Sequence, residues 1–274
     1  FLPCGDTPSC PHIGISYTGN MTQPSTGVLY RANGILRAVA VHPRGLTLAD
    51  AALATGLTRP TAHRIARDLI EIGFLVLGEG KRYRIGPALA QLSMGAPSPL
   101  QHVPEISHIC SRVAERLGET VYAATRYFDG VYYLARSQSQ SVVEIRRVGV
   151  GDIHPLSSTY CGLALLSQLP ADERESAIRY VDYSEFGFAD QPVHQGRDVI
   201  DAALARMEVH GYLYAADLTV PGLAGASVLV PAADGPSTMA LSISTINSRL
   251  TPDREGEVIG ALQDAAAEIA ALEL

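Results

Sequence analysis

Apolar residues in the first third of the chain recur at helical spacing. In residues 28–41 Leu29, Ala32, Ile35, Leu36 and Val39 fall on one face, and Pro43-Arg44-Gly45 follows. A second, Ala-rich helix is expected over residues 47–55, with Thr47 as its N-cap and Gly56 as its stop. A third runs over residues 58–72, where Ala62, Ile65, Ala66, Leu69 and Ile70 make a buried stripe. Its other face carries His63, Arg64 and Arg67, with Thr58, Arg59 and Thr61 around its start. Pro60 falls in the first turn, where a missing N–H is harmless. The pattern then shortens to period two. Residues 74–77 and 81–85 read as strands around Gly78-Glu79-Gly80, a β-hairpin whose returning strand carries Lys81, Arg82 and Arg84. An isolated helix of this kind could be a surface helix with solvated arginines. Helix, glycine turn, cationic helix and basic hairpin in that order instead predict a winged helix-turn-helix, with the third helix in the major groove and the wing on phosphates or the minor groove.

From residue 87 the character changes. A short helix and a Gly/Pro/Ser break over residues 87–99 read as a linker, and residues 103–117 as a helix with Ile106, Ile109, Cys110, Val113 and Leu117 on one face. Strands are expected at 120–126 and 131–137, joined by Tyr127-Phe128-Asp129-Gly130, and at 142–147. A polar loop, His154 to Thr159, opens a helix at Tyr160, a start suited to a carboxylate because its N–H groups and positive dipole end are free. Helices at 171–181 and 199–210, strands at 212–216, 226–231 and 239–245, and a closing helix at 252–272 complete the pattern. The expected fold class is α+β: an N-terminal winged helix-turn-helix joined by a linker helix to an antiparallel sheet flanked by helices. The expected division is a flexible tail over residues 1–26, a DNA-binding domain over 27–87, a linker over 88–102 and an effector-binding and oligomerisation domain over 103–274.

Charge sharpens this division. The net charge is −7, which for a uniform chain would argue against nucleic acid. Residues 27–90 hold nine Arg and Lys against four acids, whereas residues 103–274 hold twelve Arg against twenty-three acids. A basic module joined to an acidic one fits a DNA reader with a partner domain. Lys81 is the only lysine in the sequence, so a single arginine carries little weight. Cys4, Cys10, Cys110 and Cys161 show no zinc spacing, and no metal or cofactor is expected. No apolar run reaches about 18 residues, and residues 1–26 lack a secretory signal, so a cytoplasmic protein with no membrane partner is expected.

These residues resemble the IclR family of transcriptional regulators. Gly45-Leu46-Thr47-Leu48, Ala52 with Gly56-Leu57, Thr61-Ala62-His63-Arg64 and Tyr83-Arg84-Ile85-Gly86 match its DNA-binding half. Gly118-Glu119-Thr120-Val121, Pro155-Leu156, Thr159 with Gly162-x-Ala164-Leu165-Leu166, Pro221-Gly222 and Ser242-Ile243-Ser244 follow in the family's order. The resemblance implies a GAF-like domain that binds a small organic acid or aromatic metabolite. It also implies dimers or tetramers on palindromic double-stranded operators, acting as repressors or activators. Effector positions would fall on Thr159, Tyr160 and Cys161, on Asp217 and Gly225, and on Ser242 and Ser244. The sequence departs from glyoxylate- and pyruvate-binding members at Gly225, where they carry cysteine, at Ala215 and Ala216, where they carry acids, and at Tyr160, where they carry a small residue. A larger or aromatic acid is therefore expected. Cys161 is read either as a small buried thiol or as a ligand contact. Ser242 and Ser244, two apart on a strand, share a face.

Two rivals remain at this stage. One is an enzyme, disfavoured because Gly225-Ala226-Ser227-Val228-Leu229 lacks the closing glycine of a nucleophile elbow and no metal-protease or phosphate-loop motif occurs. The other is a DNA-binding regulator whose second domain only oligomerises, without an effector.

Overall fold

The computed structural model describes residues 27–42, 44–96, 98–128, 130–139, 148–178 and 196–272. The expected tail, Asp129 of the hairpin turn, the strand expected at 142–147 and the end of the helix expected at 171–181 lie outside the described residues. The chain separates into two compact units, dividing between Ala96 and Pro97.

In the first unit α1 (Val28–Ala40), α2 (Leu48–Thr55) and α3 (Arg59–Glu71) pack together beside a three-stranded antiparallel sheet of β1 (Leu46–Thr47), β2 (Leu75–Leu77) and β3 (Arg82–Ile85). The strand order is β1-β3-β2. The Thr47 side chain accepts the Asp50 N–H and starts α2, and Gly56, at φ 64°, ends it, a conformation open to glycine without strain. α3 buries Ala62, Ile65, Ala66 and Leu69 against Ile35 and Val39 of α1, Ala51 and Ala52 of α2, and Leu75 and Tyr83 of the sheet. Full burial of one such branched side chain contributes about 1.5–3 kcal/mol, and the small alanines let the helices approach closely. β1 was absent from the sequence expectation, and Lys81, expected in a strand, stands in the turn at φ 56°. The short α4 (Pro87–Ser93) follows.

The second unit is built on six antiparallel strands in the order β6-β5-β4-β9-β8-β7. These are β4 (Thr120–Tyr127), β5 (Gly130–Gln138), β6 (Ile153–Pro155), β7 (Tyr212–Ala216), β8 (Leu223–Leu229) and β9 (Met239–Ile246). Two amphipathic helices, α5 (Val103–Leu117) and α9 (Glu255–Ala270), cover one face, meeting Val121, Ala123, Leu134, Ala226, Val228, Leu241 and Ile243. α6 (Tyr160–Leu166) and α8 (Arg197–His210) cover the other, meeting Tyr122, Ala124, Val131, Tyr133, Leu213 and Ala240. α7 (Ala171–Ala177) lies between them in sequence. Strand alternation thus sends neighbouring residues into two separate cores. Three expectations shift. The segment before α6 contains an edge strand, β8 begins three residues earlier than expected, and a short 3-10 turn at Pro252–Arg254 precedes α9. No helix among the described residues is long and apolar enough to cross a membrane.

Candidate nucleic-acid interface and ligand site

The buried stripe of α3 fixes what its opposite side presents. Arg59, His63, Arg64 and Arg67 are exposed there, and Thr61 is half-buried beside Thr58, their hydroxyls 2.9 Å apart. Arg67 faces Asp68 at 3.4 Å with both side chains largely in water, a contact worth little. Among the described residues Arg59 and Arg64 form no ion pair, so their guanidiniums are available to an anionic partner. The wing supplies Lys81 in its turn and Arg82 and Arg84 on β3. Their strand partner Tyr83 is buried in the core, so alternation places both arginines on the outer side. Arg82 differs from the other two, because its Nη1 donates to the Gly45 carbonyl at 3.0 Å.

The second set of candidates converges on the α6 face of the large sheet. Cys161 is fully buried, with Sγ 3.1 Å from Ser242 Oγ. Burial pushes its thiol up to about 12, so it stays protonated and serves as a donor. Tyr160 is buried, its OH donating to the Ala215 carbonyl at 2.8 Å. Burial raises its phenol, helped by the Asp217 charge. Its ring lies so near Gly225 that a Cβ there would come within 2.7 Å of two ring carbons and 2.6 Å of the Ile243 carbonyl oxygen. Tyr160 and Gly225 therefore share one volume. Ser244 is opposite Gly225 on one side and Thr120 on the other.

Two of the expected contact residues also serve the fold. The Thr159 hydroxyl accepts the Gly162 N–H at 3.1 Å, and Gly162 is pressed against the Leu156 carbonyl, so the start of α6 is capped by the protein itself. Asp217 is exposed at φ 58°, and its carboxylate accepts the Gly222 N–H at 2.6 Å and the Asn247 amide at 2.9 and 3.0 Å. It fastens the β7–β8 turn.

The two compact units match two family profiles. "IclR helix-turn-helix domain" covers residues 28–77, and "Bacterial transcriptional regulator IclR C-terminal" covers residues 101–271. The chain belongs to the IclR family. It is a DNA-binding transcriptional regulator. Among similar proteins, the HTH-type transcriptional regulator TtgV of Pseudomonas putida is 37% identical over 154 residues, which is 55% of this chain and 58% of that protein. An IclR-type regulator from Silicibacter sp. TM1040 has the same fold, with a TM-score of 0.69 at 21% identity over 90% of this chain and 96% of that one. An IclR homologue from Microbacterium hydrocarbonoxydans, solved in complex with 4-hydroxybenzoate, gives a TM-score of 0.56 at 20% identity over 89% and 98%.

The IclR C-terminal unit also brings together residues that the sequence reading passed over. Strand register sets Arg136 opposite Tyr122, Tyr122 opposite Ser242, and Ser242 opposite Ser227, a polar row across four strands on the α6 face. Arg136 hydrogen-bonds the Tyr122 phenol and donates to Gln138 Oε1 at 3.1 Å. Ser227 is fully buried and donates to the Leu241 carbonyl at 2.8 Å. Periodicity assigns each residue a face but not a partner, so the row was invisible before the strands were paired.

Proposed function

We propose that this regulator reads a palindromic operator through α3 and holds the flanking phosphates through its wing, and that a small organic acid or aromatic metabolite on the α6 face modulates that binding. The base-reading role goes to Arg64 with Arg59, Thr61 and His63, and the phosphate role to Lys81 and Arg84. A dimer or tetramer in the cytoplasm would present paired α3 helices to two half-sites. The corresponding division of labour is residues 27–87 for DNA, 88–102 as linker and 103–274 for effector and assembly.

One observation carries the effector half: a row of polar side chains, Arg136, Tyr122, Ser242 and Ser227, with the Cys161 thiol against Ser242, in an otherwise apolar core. A few polar side chains set together in an apolar surround are the usual lining of a small-molecule site. The 4-hydroxybenzoate complex of the Microbacterium homologue supports the aromatic-acid class. Catalysis is not part of this reading, because the Cys161 thiol stays protonated near neutral pH.

The reading in which the second unit only assembles draws on the tight Tyr160–Gly225 contact, which fills one end of the face. Thermal shift against a panel of aliphatic and aromatic carboxylates separates the two. A ligand at about 100 times its Kd stabilises by about 2.7 kcal/mol. A rise in Tm with one or more acids supports the effector, and flat curves across the panel leave assembly alone.

A further inference from the structure

Arg44 lies outside both the recognition helix and the wing strands, yet the fold carries it to the wing. The next residue, Gly45, has φ 79°, and a Cβ on it would meet Tyr83 O at 2.8 Å, Arg84 Cγ at 2.9 Å and Arg82 Cβ at 3.0 Å. The backbone here is therefore pressed against β3, a fit that only glycine allows. The exposed Arg82 side chain then reaches over and donates from Nη1 to the Gly45 carbonyl at 3.0 Å, fixing the segment from outside. Arg84 turns the other way, with Nε and Nη2 at 3.2 and 3.3 Å from where a Gly78 Cβ would stand. Arg44 is left exposed, with no ion pair or side-chain hydrogen bond among the described residues. Lys81, Arg84 and Arg44 thus lie along one small sheet, with Glu79 the one acid in its hairpin.

We propose that Arg44 is a further DNA-phosphate contact and that Arg82 is its positioning residue rather than a contact in its own right. The proposal rests on the DNA-binding reading and refines which cations do the binding. Each phosphate contact removed should lower the slope of log affinity against log salt by about 0.9.

The test measures full-length protein binding a fluorescein-labelled random-sequence duplex of about 30 base pairs by anisotropy, over about 50–200 mM KCl. Arg44→Ala is expected to flatten the slope by about 0.9, and Arg82→Ala to flatten it by the same amount because the Arg44 segment is released. The double variant should be no flatter than either single one. An unchanged slope for Arg44→Ala overturns the contact. An unchanged slope for Arg82→Ala, or additive losses in the double variant, overturns the positioning role. A wild-type chain with no measurable affinity for duplex DNA would instead overturn the DNA-binding reading itself.

Discussion

Replacing Gly225 by alanine tests the packing on the α6 face, where the ligand is proposed to bind, most sharply. The added methyl would stand 2.7 Å from two carbons of the Tyr160 ring and 2.6 Å from the Ile243 carbonyl oxygen. The carbonyl belongs to β9, the hydrogen-bonded neighbour of β8, and moves only with the sheet. The ring can swing aside only by giving up its 2.8 Å bond to Ala215. Overpacking costs about 1–3 kcal/mol and a net hydrogen bond about 1, so Gly225→Ala should cost about 2–4 kcal/mol. In a domain of this size that lowers Tm by roughly 4–16 °C. Tyr160→Ala empties the same space and should cost about 3–5 kcal/mol by itself. With the ring gone half of the clash disappears, so the double variant should be more stable than the sum of the single losses by about 1 kcal/mol or more. Calorimetry on the second unit's transition, with urea titration as a check, measures all four corners of the cycle. Losses that add to within about 0.5 kcal/mol would show that Tyr160 and Gly225 do not share a volume, and the reasoning would fail.

Other consequences concern the network, the thiols and the recognition helix. Glu119 is fully buried and accepts from Arg249 Nε at 3.0 Å and Arg254 Nη1 at 2.9 Å, while the same arginines hold the carbonyls of Gly118 and Leu117. Breaking a buried pair costs about 3–5 kcal/mol, less here because the arginines reach water; Glu119→Ala should lose about 2–3 kcal/mol in urea unfolding, and a loss under about 1 would make the network incidental. Burial holds Cys110 and Cys161 at about 12 against an ordinary value of 9.0. The folded chain keeps protons that the unfolded chain releases, so this contribution is complete below about pH 9 and is lost as pH rises above it. Stability falling with a slope of up to about 2.7 kcal/mol per pH unit is the expected alkaline signature, and native peptides carrying either residue should resist iodoacetamide at pH 8. Arg64→Ala should weaken binding to a selected operator by about 1–3 kcal/mol and to random DNA much less; equal losses on both would remove its base-reading role.

What the sequence disclosed follows what determines each element. The three N-terminal helices and the wing were legible because their stripes, caps and glycine stops are local. β1 was not, since Leu46 and Thr47 are strand only through pairing with Tyr83 and Arg82. Lys81 read as strand because a lysine in the left-handed region leaves no mark in its side chain. The start of β8 read as loop because Gly225 is the price of the Tyr160 ring, which comes from more than sixty positions away. The bonds of Asp217 to Gly222 and Asn247 left no mark in the sequence, because the fold sets which groups meet it. Arg136, Tyr122 and Ser227 came into view only when the register joined β5, β4, β9 and β8.

The proposed control of DNA binding by a small molecule is open to direct titration. Full-length protein is titrated against an operator duplex selected from a random library, with and without each acid that raises Tm, 4-hydroxybenzoate being included in the panel. Coupling between sites is typically about 1–3 kcal/mol, so at least one acid should shift operator affinity by about 5-fold or more, in either direction. Operator affinity unmoved by every acid that demonstrably binds would contradict the account.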